Sequence, residues 1–141
     1  MGARSDTTYP ANRTFVDRDG TMHVEGVTYD VVTHTTSATL TEDDSGKIHI
    51  AAAVDLVFTL PATQAGLVFQ FVVGTVSATT GASISPAAAD QIIGNGFTAA
   101  DDKDAINTAA TDAAGDAMTV VGNGTTGWLI TNTVGTWARE A

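Results

Sequence analysis

The sequence predicts an all-β protein, a jelly-roll-like antiparallel β-sandwich with an extended N-terminal arm. Three observations point there. Between Leu40 and Val73, short apolar stretches alternate with period two: Ile48 and Ile50, then Leu56, Phe58 and Leu60, then Leu67, Phe69, Phe71 and Val73. That is the pattern of strands with one buried face. The stretches are broken by turn chemistry at Asp44-Ser45-Gly46, Ala51 to Asp55, and Pro61 to Gly66. Finally, charged residues make up only 16% of the chain against 43% apolar, and much of the remainder is Thr, Gly and Ser, which suits many short strands and turns.

A chain of 141 residues fits one domain with a single core. We divide it into an arm over residues 1–22, which lacks periodicity and carries Pro10 and Gly20, and a sandwich over residues 23–141. In order, Val24 to Thr41 supports one or two strands, with Val27, Tyr29 and Val31 in step, and the three stretches above follow. Ala82 to Ser85 reads as a short strand stopped by Pro86, and Asp90 to Ile93 as another, closed by an Asn95-Gly96 turn. Phe97 to Asp116 reads as a surface loop with at most a turn of helix, because its helical stripe is almost all alanine and would bury little. Met118 to Val121 pairs with Gly127 to Thr131 across a glycine-rich turn, and Val134 to Arg139 closes the chain.

The formal net charge is −10, which argues against nucleic-acid binding, since phosphate contacts need clustered Lys and Arg. The charge is uneven. Arg4, Arg13 and Arg18 outweigh Asp6 and Asp17 in the first 18 residues, leaving them net +1 and the rest of the chain −11. Cysteine is absent, so disulfides and thiolate metal sites are excluded. The first residues hold no apolar signal core, and no stretch approaches a membrane span, so we expect assembly in the cytoplasm and no membrane partner.

No constellation reads as a reaction centre. Asp17-Arg18-Asp19-Gly20 opens like a calcium loop, but the twelfth position, where such a loop needs a bidentate Glu, is Thr28. The runs Glu42-Asp43-Asp44 and Asp101-Asp102-Lys103-Asp104 read as solvated loops, and no metal or cofactor is assigned. His23, His34 and His49 are read as solvent-facing strand histidines, too far apart in sequence to share one element as a ligand pair. Ser and Thr abound without a nucleophile elbow, so no catalytic residue is assigned.

One strand carries more than fold information. With Leu67, Phe69, Phe71 and Val73 inward, the opposite face of the same strand shows Val68 and Val72 with only Gln70 polar between them. Sandwich strands normally wet their outer face, so Val68, Gln70 and Val72 are candidates for a subunit interface. Trp128 and Trp137, the only tryptophans, join them as interface candidates, and as an aromatic platform for sugar in the alternative reading.

The segments Leu40 to Lys47, Phe58 to Pro61, Ala65 to Leu67, Phe69 to Val73, Gly127-Trp128 and Gly135-Thr136-Trp137 resemble small virion structural proteins of tailed bacteriophages. These are head decoration or cement proteins and related head-fibre and tail-fibre β-domains. The likeness runs over about residues 38–139 and rests on turns and core strands. It implies a non-enzymatic protein on the outer surface of the head, commonly a trimer, that clamps the major capsid protein and carries no catalytic residues. On that reading the arm lies across the capsid lattice, with Arg4, Tyr9, Pro10, Arg13, Phe15 and Arg18 as candidate contacts. The alternative is a fibre domain that binds a receptor or glycan.

Overall fold

The fold is given by a computed structural model, which describes residues 13–16, 18, 20, 22–25, 29–94 and 96–141, with backbone alone for 13–16 and 22–25. Arg4, Tyr9 and Pro10 lie outside these residues.

The protein is all-β, built from two mixed sheets packed together and a separate two-stranded ribbon. The ribbon pairs β1 (Arg13–Val16) antiparallel with β2 (Met22–Glu25). Of the arm expected over residues 1–22, the described residues from Arg13 on pair back on the chain, and the boundary drawn at residue 22 falls inside this hairpin. The six-stranded sheet contains β3 (Val31–His34), β5 (Ile48–Ala51), β7 (Val68–Val73), β9 (Gln91–Ile93), β11 (Ala117–Gly122) and β12 (Gly127–Val134), in the order β3-β5-β7-β11-β12-β9. The five-stranded sheet contains β4 (Ala38–Thr39), β6 (Val57–Thr59), β8 (Ser83–Ser85), β10 (Ala105–Asn107) and β13 (Trp137–Arg139), in the order β13-β10-β8-β6-β4.

From β3 to β10 each strand passes to the opposite sheet, so β3, β5 and β7 fall side by side and parallel, as do β4, β6 and β8. Antiparallel pairing is confined to β7-β11-β12 in one sheet and β8-β10-β13 in the other. β9 joins β12 in parallel. The expected all-antiparallel pairing is therefore corrected to a mixed one. Alternation of side chains specifies which face is buried and is silent about the direction of the neighbouring strand.

The core lies between the two sheets. Phe69, Phe71, Met118, Val120 and Trp128 fill it from the six-stranded side, and Phe58, Ile84 and Ala105 from the other, with Leu56 and Leu60 flanking Phe58. Phe58 meets Phe71 across the gap with ring centroids 5.1 Å apart. The predicted inward sets in β6 and β7 are thus observed, with Leu67 only half-buried at the margin. β10 corrects the expectation of a loop over Phe97 to Asp116: Ala105 and Asn107 are fully buried inside that segment.

Candidate functional site

The arrangement with the clearest functional content is the outer face of the six-stranded sheet. In β7 the buried and half-buried positions alternate without exception, which turns Phe69, Phe71 and Val73 to the core and Val68, Gln70 and Val72 away from it. β5 and β11 repeat the alternation, so their residues fall into register with those of β7 on the same outward side. One row across the sheet reads Val31, Ile48, Gln70, Thr119 and Asn132. The next reads Thr33, Ile50, Val72, Ala117 and Val134. On the other side of the first, Val68, Val121, Leu129 and Ile93 stand abreast.

These three rows contain no Asp, Glu, Lys or Arg, although the chain carries a net charge of −10. Ten of their fourteen positions are apolar and the other four are Thr, Gln or Asn. The face is open to solvent at both flanks, with Val31 56%, Val134 50% and Leu129 40% exposed. Apolar patches of this breadth on a sheet exterior mark surfaces that other molecules cover.

Ile48 and Ile50 belong to this outer face. Their strand turns His49 and Ala51 to the core, and His49 is fully buried. The reading of His49 as solvent-facing is corrected. β3 and β5 are parallel neighbours, and this brings together two histidines fifteen residues apart in sequence: His34 Nε2 and His49 Nδ1 are 3.0 Å apart. His49 Nε2 lies 3.1 Å from the Asp44 carbonyl, which can only accept, so Nε2 carries the proton and His34 is the donor to Nδ1. His34 also meets Phe58 edge-on, with ring centroids 5.0 Å apart. Burial pushes the His49 imidazole below its ordinary pKa, the hydrogen bond to Asp44 opposes that, and the neighbouring His34 adds to the lowering.

The acidic runs are structural where they are described. Glu42–Asp44 forms a turn of 3₁₀ helix in which the Asp44 carboxylate accepts from the Thr41 amide at 2.9 Å and pairs with Lys47 at 3.2 Å. That backbone hydrogen bond is the main reason its pKa is lowered. Asp101 accepts from Gln91 Nε2 at 2.7 Å. Asp104, half-buried, is pushed upward by desolvation against the hydroxyls of Ser85 and Ser83. Among the described residues, no group of three or more His, Asp or Glu side chains is placed to hold a metal ion.

The two tryptophans separate. Trp128 is fully buried and packs edge-on against Phe69, so it is corrected from an interface or sugar-platform candidate to a core residue. Trp137 is half-buried on β13, and its Nε1 donates to the Val134 carbonyl at 3.0 Å. The structure gathers Val68, Gln70 and Val72 on one surface, with Trp137 on the opposite sheet. Of the arm candidates, Arg13 and Phe15 lie in β1 and Arg18 is exposed in the turn that follows. The participation of Ile48, Ile50, Val121 and Leu129 in one face was missed from sequence, since only strand neighbours could reveal it.

Neither a scan of protein-family models nor a search of curated proteins finds a match to this chain.

Proposed function

We propose that the chain is a non-catalytic structural protein of a tailed-phage virion, a head decoration protein that binds the outer surface of the major capsid lattice. The observation that carries the reading is the broad charge-free face on an otherwise acidic all-β body. Acidity keeps the free protein soluble and dispersed at high concentration. A wide, neutral surface on a sheet, rich in β-branched residues, gives cohesion between copies of the protein without a reaction centre, and so sets several coat contacts side by side. The resemblance of the turns and core strands to virion β-domains supplies the setting and the partner.

Function on this reading is linkage. A protein that binds only the mature shell stabilises that state in proportion to the logarithm of ligand excess over Kd, ~2.7 kcal/mol per site at a hundredfold excess. Several feet engaged at once multiply the effect through effective concentration. The N-terminal residues, Arg4, Tyr9, Pro10, Arg13, Phe15 and Arg18, are the proposed contacts to coat protein, since they hold the basic end of an acidic chain.

The test is to add the purified full chain to heads lacking it and then heat or dilute them. Binding at saturable stoichiometry with increased particle survival is the expected result. Absence of binding at micromolar protein, with unchanged survival, removes the proposal.

A further inference from the structure

We infer that the outer face of the six-stranded sheet is a self-association surface, which packs on the same face of a second copy about a two-fold axis. This stands on strand register and side-chain character alone and does not depend on the proposed role in a virion.

Charge selects the occupant. Two bodies of net charge −10 repel at any approach that brings their carboxylates together, and this face lets them meet with no ionised side chain between them. The polar residues select it further. Gln70, Thr119, Thr33 and Asn132 each carry both a donor and an acceptor, so each can pair with its own counterpart across a two-fold axis. A carboxylate or ammonium group cannot do so, and none is present in the rows. Gln70 sits inside the face, with Ile48 on one side and Thr119 on the other, where a symmetry-related amide would meet it.

The dimensions suffice. Six strands at ~4.8 Å spacing span roughly 24 Å, and the rows from Val68 to Val72 add about 14 Å along the strands. With side-chain relief, two such faces bury on the order of 1,000 Å² in total, the lower bound for a specific interface. Flat sheet faces pack about 10 Å apart in this manner within sandwiches, so the pair would form a four-layered body. Because the same patch is used twice, the contact is isologous and closes at two subunits. A trimer, as the family resemblance implies, would have to use other surfaces.

Sedimentation equilibrium of the full chain, without any particle present, tests this. At roughly 100 µM the expected species is a dimer of the 14.4 kDa chain. Its Kd should fall as salt is raised, since screening relieves repulsion between the bodies while the interface has no ion pairs to lose. Leu129→Glu and Val72→Glu should each raise Kd at least about tenfold, as a buried unpaired charge demands. Val54→Glu, at an apolar residue 53% exposed in the loop between β5 and β6, should leave Kd unchanged. Thermal melts by circular dichroism check that each variant folds, and Leu129→Glu, at an exposed site, keeps the test valid if Val72→Glu does not. The chain has no cysteine, so Gln70→Cys with a short bifunctional maleimide should give a covalent dimer. A monomer at 100 µM, a trimer, an unaltered Kd in folded Leu129→Glu, or a dimer that Gln70→Cys fails to cross-link overturns the inference.

Discussion

With His49 neutral, His34 Nε2 donates to His49 Nδ1 across 3.0 Å, and His49 Nε2 donates in turn to the Asp44 carbonyl. His49 is surrounded by the rings of Phe58, Phe69 and Phe71, with centroids 5.7 to 6.4 Å away. A proton added at Nδ1 would turn His34 from donor to acceptor and place a cation at a fully buried site, with Lys47 already nearby.

The consequence for stability has a definite sign. In the unfolded chain this histidine titrates near 6.5, and in the folded protein it stays neutral to lower pH. Below about pH 6.5 the unfolded state therefore binds the additional proton, and stability falls as pH falls, by at most about 1.4 kcal/mol per pH unit for one group. Urea unfolding between pH 8 and pH 5 should show this slope. His49→Gln, which keeps a donor without titrating, should flatten it, and an unchanged slope in that variant would place the titration elsewhere.

Asp55 organises the turn between β7 and β8. Its backbone is in the left-handed region at φ 53°, a conformation Asp tolerates better than most residues. The carboxylate accepts from the hydroxyls of Ser77 and Thr79, and from the amides of Gly81 at 3.0 Å and Thr80 at 3.1 Å. Those hydroxyls, Ser77 first, hold its carboxyl well below the usual carboxylate range. The contribution is present above the ordinary value of 3.8 and is lost as pH falls through the lower folded value, so it adds nothing to the pH 8 to 5 slope. Asp55→Ala should accelerate amide exchange at Thr80 and Gly81 by about tenfold or more. Asp55→Asn keeps a carbonyl acceptor and should fall between, and equal exchange in all three proteins would refute the role.

How much of this was legible differs strand by strand. Leu56, Phe58, Leu60, Phe69, Phe71 and Val73 declared their buried face because Val, Thr or Gln stands between them. In β5 the same rule misled: Ile48 and Ile50 are the larger apolar pair, yet His49 and Ala51 face the core. On a sheet whose outer face is itself apolar, hydrophobicity no longer distinguishes inside from outside. β10 was invisible because its three residues follow four consecutive charged ones and hold a single large apolar side chain, Ile106. The hydrogen-bonded histidine pair and the neutral face both depend on parallel adjacency of β3, β5 and β7, and no local signal encodes strand order.

Trp128 stacks its edge against Phe69 with centroids 5.4 Å apart, while its buried Nε1 finds no hydrogen-bond partner among the described residues. The site thus contains a large apolar contribution and an uncompensated donor. Trp128→Ala should destabilise by ~3–5 kcal/mol. Trp128→Phe sheds an unpaired N–H whose burial costs about 1–3 kcal/mol, so it should lose less than ~2 kcal/mol despite the smaller ring. Fluorescence provides a second reading. Trp128→Phe should remove the blue-shifted emission and leave the red-shifted signal of the half-buried Trp137. Comparable losses for the two substitutions in urea unfolding would contradict this account of the donor.

Gly127 begins β12 where the chain passes against Gln91 of the edge strand β9. Its φ of 151° disfavours any side chain, and a Cβ there would run into the Gln91 carbonyl and amide. The same residue is clasped on its other side: Thr63 Oγ1 donates to its carbonyl at 2.6 Å, and its amide donates to Asn123 Oδ1 at 3.0 Å. With the backbone held this way, relief can come only from moving β9, and Ile92, 2% exposed, would leave the core with it. Gly127→Ala should therefore destabilise by ~3 kcal/mol or more and raise amide exchange in Gln91–Ile93 ahead of Val68–Val73. A loss below ~0.5 kcal/mol in urea unfolding would mean that β9 does not depend on this close approach.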